Sequence, residues 1–282
     1  TTCHFDGLKI VALYYDQIHP VHQKNVNEIL TAICTISRII ASQYKDIFYI
    51  SPLRYAPQRR YIIEQDVEDI GIYGENVPQI LEKYKEINGR INEIPIDDKI
   101  SSKYIPIKSK TKEAVNKWLN YLNIDNLDVN SMDELLKLSI GNDNILDVGF
   151  GISQALPIVV NGVVLPYETT LLLEQPEVHL HPEMQLRMAD LLISVSMAHK
   201  NVIVETHSDH IINRIVRRIV EDKTDFLQKN IKLFFIDKQF DKVITPIVIT
   251  NTQGVIDAPK EFFSQFADET QKIIFAAVKN RK

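Results

Sequence analysis

The sequence predicts an α/β fold whose core sheet is largely parallel and flanked by helices. Three observations predict it. The apolar run Leu171-Leu172-Leu173 ends in the acidic turn Glu174-Gln175-Pro176-Glu177. A second apolar run, Asn201 to Val204, ends in Glu205-Thr206-His207-Ser208. Between them lies a helix-length stretch that opens at Pro182, where a missing N–H costs nothing in the first helical turn. In open α/β sheets, ligands sit beyond the carboxyl ends of the strands. Two neighbouring strand tips that carry carboxylates and a histidine therefore form a candidate site.

The other elements follow in chain order. Leu8 to Tyr15 reads as a strand. Gln23 to Tyr44 reads as a helix, because Val26, Ile29, Leu30, Ile33, Ile36 and Ile40 recur at helical spacing. Ile47 to Ile50 is a short strand, and the two prolines after it mark Ser51 to Pro57 as a loop. Gly71 to Glu75 is a turn and Pro78 to Ile87 a helix. Asn88 to Lys110 is polar and aperiodic and reads as a connection or insertion. Thr111 to Ile124 is an amphipathic helix with Ala114, Trp118, Tyr121 and Leu122 on one face. Asp125 to Ser131 reads as an Asn/Asp-rich loop, followed by strands over Leu135 to Ile140 and Ile145 to Val148. Beyond the histidine turn, Asp209 caps and opens a helix over Asp209 to Glu221. Its arginines, Arg214, Arg217 and Arg218, are expected on a solvated face or at a nucleic-acid or partner contact. Ile231 to Ile236 and Val243 to Thr250 are strands, and Pro259 opens a last helix that buries Phe262, Phe263, Phe266, Ile273 and Ile274. The expected organisation is 1–71 as an N-terminal remnant with core strands and 72–144 as a mostly helical insertion or arm. The site core spans 145–230, and C-terminal strands and a helix span 231–282.

Composition sets bounds. The 282 residues, 45% hydrophobic, suffice for one large domain or two small ones. A net charge of −5 with a pI near 5.9 excludes a wholly basic nucleic-acid coat and leaves room for a local basic groove. Cys3 and Cys34 are too few for a disulfide framework, so the expected compartment is a reducing cytosol. No apolar run is long enough to span a bilayer, and no membrane partner is expected. The first residue is Thr rather than Met, so the native start is expected to lie outside this numbering.

Four motifs agree in order and spacing: Val148-Gly149-Phe150-Gly151-Ile152-Ser153, the Glu174 to Pro182 segment, Glu205-Thr206-His207-Ser208, and Glu261-Phe262-Phe263. Together they resemble the C-terminal half of an ABC-type P-loop ATPase. The resemblance is to the bacterial AAA group that shares EPE-x-HLHP and ETHS motifs and includes the ATPase domain of the overcoming-lysogenization-defect (OLD) nucleases. A subgroup with a C-terminal domain of unknown function is similar over roughly Ile47 to the end. The resemblance implies that Glu174 ends a Walker B strand and holds magnesium, which needs few carboxylates beside waters and phosphate oxygens. It implies that His207 is the switch histidine that hydrogen-bonds the γ-phosphate of ATP. His179 to Pro182 then forms the D-loop, crossing to the other subunit of an ATP-sandwiched dimer. Gly149, Gly151, Ser153 and Gln154 are implied to form the signature motif. Its glycines permit close backbone approach, and the helix N-terminal amides meet the partner's phosphate. Ser153 also reads as a helix N-cap.

Two departures stand out. Gln175 occupies the place of the water-activating glutamate. An amide orients water but takes no proton, and losing a general base costs roughly 10²–10⁴-fold in rate. Either hydrolysis is slow or another acid does the work, and Glu177 is the candidate. Secondly, no G-x-x-x-x-G-K-[ST] loop occurs in the 282 residues. The chain is therefore expected to need a Walker A lobe from elsewhere and to bind ATP weakly alone. The expected partners are a second copy or a head-to-head ATPase, a separate nuclease effector, and nucleic acid. The alternatives are a degenerate scaffold without turnover and a zinc hydrolase, since five of the eight histidines (His179, His181, His199, His207, His210) crowd together.

Overall fold

The computed structural model describes residues 2–6, 9–14, 46–63, 66–96, 99–100, 103–236, 244–252 and 254–257. The helix expected over Gln23 to Tyr44 and the one expected after Pro259 lie outside the described residues. An antiparallel hairpin, β1 (Thr2–Asp6) with β2 (Lys9–Tyr14), comes first. β3 (Ile47–Ile50) and β4 (Tyr61–Ile62) follow. Next come α1 (Val77–Tyr84), α2 (Thr111–Tyr121), β5 (Leu127–Met132), β6 (Leu135–Ile140) and β7 (Asp143–Asn144). The core continues with α3 (Phe150–Val164), β8 (Thr170–Glu174), α4 (Pro182–Met197), β9 (Asn201–Glu205) and α5 (Asp209–Glu221). The last described elements are α6 (Phe226–Asn230), β10 (Leu233–Ile236), β11 (Ile244–Thr250) and β12 (Gly254–Asp257).

The central sheet has the order β3-β8-β9 and is parallel throughout. Leu171 is in register with Phe48 and Val202, and Leu173 with Ile50 and Val204. Side chains alternate along a strand, so these six share a face. They join the main core with Ile158 and Val159 of α3 and Met188 and Leu191 of α4. The opposite face carries Ile47, Tyr49, Leu172 and Ile203, then Glu174 and Glu205 at the tips. Ile47 is 50% exposed there and Ile203 55%. Among the described residues, β9 has no strand on its outer edge. Parallel sheets are ordinarily covered on both faces; among the described residues, this face carries the exposed Ile47 and Ile203.

The stretch from 72 to 144, expected to be mostly helical, is mixed. Its two helices pack with an antiparallel sheet of order β4-β6-β5, with β7 on β6. The loop expected over Asp125 to Ser131 becomes strand β5, because Leu127 and Val129 turn into the core while the polar residues between them point out. That period-two pattern overrides the low strand propensity of Asp and Asn. The strand expected over Ile145 to Val148 is a turn, stopped where Asn144 Oδ1 accepts from the Leu146 amide at 3.0 Å. The Asn88 to Lys110 stretch is tied by antiparallel bridges at Asn88–Lys110 and Asn92–Pro106 and anchored by the buried Ile91 and Ile107.

The arginines of α5 also depart from expectation. Arg217 is on the surface, paired with Glu221 at 2.7 Å. Arg214 and Arg218 are buried against Asp190 of α4, which is itself fully buried. Arg218 donates Nε to Asp190 Oδ1 at 2.7 Å, and Arg214 donates Nη2 to Oδ2 at 2.8 Å. Tyr121, at the end of α2, donates its hydroxyl to Oδ2 at 2.6 Å. Burial alone would lower both guanidinium pKa values; the Asp190 charge and hydrogen bonds more than offset it, so both are raised. A second small cluster, Ile193, Met197, Ile219 and Leu227, receives Ile249 from the antiparallel β10-β11-β12 sheet. Among the described residues, no helix is long and apolar enough to cross a membrane.

Candidate functional site at the strand tips

Glu174 and Glu205 are register partners at the ends of β8 and β9. Alternation sends both side chains to the open face. Tyr49 of β3 shares that face; partial burial and a hydrogen bond to Glu174 raise its phenol above the ordinary value. The chain then turns at Gln175, whose φ of +44° lies in the left-handed region that non-glycine residues seldom occupy. Two contacts hold that turn. The Gln175 amide donates to the Glu205 carbonyl at 2.9 Å. Arg54, in the loop after β3, donates Nη2 to the carbonyls of Glu174 at 3.1 Å and Gln175 at 3.2 Å. Arg54 is 6% exposed. Burial pushes its pKa down to about 10 against the opposing charge of Glu177. From the sequence, the loop carrying Arg54, Arg59 and Arg60 could meet phosphate or pair with nearby acids, and Arg54 is not among the predicted site residues. Its position just past a strand tip was the available signal.

Glu177 joins the two tips. Its Oε2 accepts from Thr206 Oγ1 at 2.7 Å and its Oε1 from the His207 amide at 2.8 Å. The His207 ring is exposed, with Nε2 at 2.9 Å from Glu205 Oε1. The structure therefore brings Glu174, Gln175, Glu177 and His207 onto adjacent tips, and adds Arg54, Tyr49 and Glu205. The next helix is capped by Ser208 rather than Asp209. Ser208 Oγ accepts from the Ile211 amide at 3.2 Å, and Asp209 is the first helical residue. Ser208 also donates to Gln185 Oε1 at 2.6 Å, while Gln185 Nε2 donates to the Leu180 carbonyl at 2.9 Å. One amide side chain thus bridges the histidine turn and the turn before α4. Pro182 opens α4 as expected, with His181 as its N-cap.

A second group forms around Gly149, Gly151 and His179. Gly149 is the N-cap of α3 and has open space around it. Gly151 has none: a Cβ there would lie 2.5 Å from the His179 carbonyl oxygen. His179 itself has φ +62°, and its ring meets Phe150 edge-on at 4.9 Å. Ser153 and Gln154 do not join this group. Both are buried, and Ser153 Oγ donates to the Phe150 carbonyl at 2.7 Å, so it is an interior residue of α3 and not its cap. The helix starts a full turn earlier, which rotates these two side chains into the core.

The histidines are also dispersed. His199 lies at the opposite end of the sheet, between Tyr104 and Tyr167. Among the described residues, no group of three or more His, Cys, Asp or Glu side chains is placed to hold a metal. The five histidines that crowd together in the sequence therefore do not gather into such a group. Magnesium asks for less: one or two carboxylates, waters and phosphate oxygens. Glu174 alone meets that demand.

A family model described as an AAA ATPase domain matches residues 10–212. No curated protein matches the chain. The matched span takes in β3, the Arg54 loop, α3 and both strand tips. The chain belongs to the AAA ATPase domain family, a family of nucleotide-binding ATPases.

Proposed function

We propose that the chain is part of an ABC-type ATPase head, which binds Mg-ATP at a head-to-tail dimer interface and couples nucleotide state to a partner. The observation that carries this reading is the placement of Glu174 and His207 on adjacent parallel strand tips. In the proposed state, Glu174 holds a hydrated magnesium ion and His207 hydrogen-bonds the γ-phosphate. Magnesium supplies charge neutralisation of the phosphate chain. Gly149, Gly151 and the first amides of α3 face the nucleotide of the second copy, with His179 beside them. The phosphate loop comes from a lobe seated on the uncovered face of the central sheet, adding a parallel strand along β9. The exposed Ile47 and Ile203, and a β9 edge that pairs with no further strand among the described residues, support that placement. The proposed partner is a separate nuclease acting on nucleic acid in the cytoplasm, in prokaryotic genome maintenance or defence against phage.

The test is association. Sedimentation of the full-length protein with Mg and a slowly hydrolysed ATP analogue should show dimers, and Glu174→Ala should abolish their magnesium dependence. A wild-type protein that neither binds the analogue nor associates rules the reading out. A second reading, a scaffold without turnover, is favoured by one observation: Gln175 stands where a base is needed, and both oxygens of Glu177 already accept hydrogen bonds. Single-turnover hydrolysis by wild type, Glu177→Gln and Gln175→Glu separates the two. Turnover restored only by Gln175→Glu favours the scaffold.

A further inference from the structure

We infer that Glu205 is the proton acceptor of the strand-tip site, filling the role that Gln175 leaves empty. The inference rests on the ATPase reading above. Glu205 is the register partner of Glu174, which places their Cα atoms about 4.8 Å apart, with both carboxylates leaving the same open face. Its side chain is 46% exposed, so water reaches it. Its Oε1 lies 2.9 Å from His207 Nε2, which orients the carboxylate and leaves Oε2 for a water molecule.

The competing groups are less suited. The Gln175 amide has no basic atom. Glu177 binds Thr206 Oγ1 with one oxygen and the His207 amide with the other, and is the clamp that holds the histidine turn in place. Arg54 is a cation committed to two carbonyls. Among the described residues, Glu205 is the remaining carboxylate at the strand tip beside Glu174. In the step, the water oxygen forms a bond to the γ-phosphorus. The bond from that phosphorus to the β–γ bridging oxygen breaks, and its electron pair leaves with ADP. The water proton passes to Glu205 Oε2, and the products are ADP and inorganic phosphate.

The experiment compares full-length wild type with Glu205→Gln, Glu205→Asp and Glu177→Gln. It reads three quantities: Mg-dependent binding of a fluorescent ATP analogue, single-turnover phosphate release, and thermal unfolding. Gln at position 205 keeps an acceptor for His207 and loses only the basic oxygen. The expected result is analogue binding and unfolding as in wild type with phosphate release down roughly 10²–10⁴-fold, and partial recovery in Glu205→Asp. Glu177→Gln should instead lower stability and binding together. Phosphate release in Glu205→Gln within about threefold of wild type overturns the inference. So does a loss of release in Glu177→Gln alone with binding and stability intact. A wild type that binds but never hydrolyses also overturns it, leaving the nucleotide reading standing. A wild type that does not bind takes down the ATPase reading itself, and the inference with it.

Discussion

Removing Asp190 should be the most damaging single change away from the strand tips. Its carboxylate is fully buried and receives Arg214, Arg218 and the Tyr121 hydroxyl. Asp190→Ala strands buried guanidinium charge, and breaking one side of a buried ion pair costs about 3–5 kcal/mol. The lower half of that range applies to the Arg218 arm, because Glu221 still holds its Nη1 at 2.8 Å from a half-exposed position. The orphaned Tyr121 hydroxyl adds about 1 kcal/mol. For a domain of this size the total moves the unfolding midpoint by roughly 8–20 °C. The assay is urea unfolding followed by circular dichroism at neutral pH, at low and high salt. Because the pairs are buried, added salt should change the loss little. A loss below about 1 kcal/mol, or one that half a molar salt erases, refutes the reasoning. Replacing Asp190, Arg214 and Arg218 together with Leu and Met should recover much of the loss, since an apolar substitute for a whole buried ion cluster is often neutral.

Further outcomes follow from single positions. Gly151→Ala puts a methyl group 2.5 Å from the His179 carbonyl and should cost about 1–3 kcal/mol by chemical denaturation. Gly149→Ser, where there is open space and a preferred capping residue is introduced, should stay within about 0.5 kcal/mol of wild type. Burial, helped by the Arg90 charge, lowers Lys200 to about 7 from its ordinary 10.5. The unfolded chain therefore binds the extra proton between those values. Stability should rise with pH across that window, with a slope approaching about 1.4 kcal/mol per unit, and be lost again as pH falls through 7. Lys200→Met should flatten that slope in unfolding curves taken from pH 7 to 10. Glu177→Ala unties Thr206 and the His207 amide from β8; a destabilisation of about 1–2 kcal/mol with faster amide exchange at His207 is the expected signature.

The central strands were legible because β3, β8 and β9 are short apolar runs that end abruptly in polar turns, and that pattern needs no tertiary information. The positions of Glu174 and His207 came with them. What was hidden depends on partners distant in sequence. Arg54 acts on carbonyls 120 and 121 residues away. Arg214 and Arg218 reach back 24 and 28 residues to one aspartate, and nothing in their own helix distinguishes them from the exposed Arg217. Gly151 is required by the backbone of another turn, not by its own dihedral angles. Ser208 and Asp209 are both good caps, and adjacency left the choice to geometry. β5 was missed because only Leu127 and Val129 mark its inner face, too few apolar residues to stand out among Asp and Asn.

Gln185 has one amide and two obligations. It supplies a hydrogen to the carbonyl before α4 and takes one from the serine that starts α5. Damage to either neighbour is therefore damage to a shared joint. Mutations at Gln185 and at Ser208, one in α4 and the other in the histidine turn, should fail to add, and the shortfall measures how firmly the two are geared together.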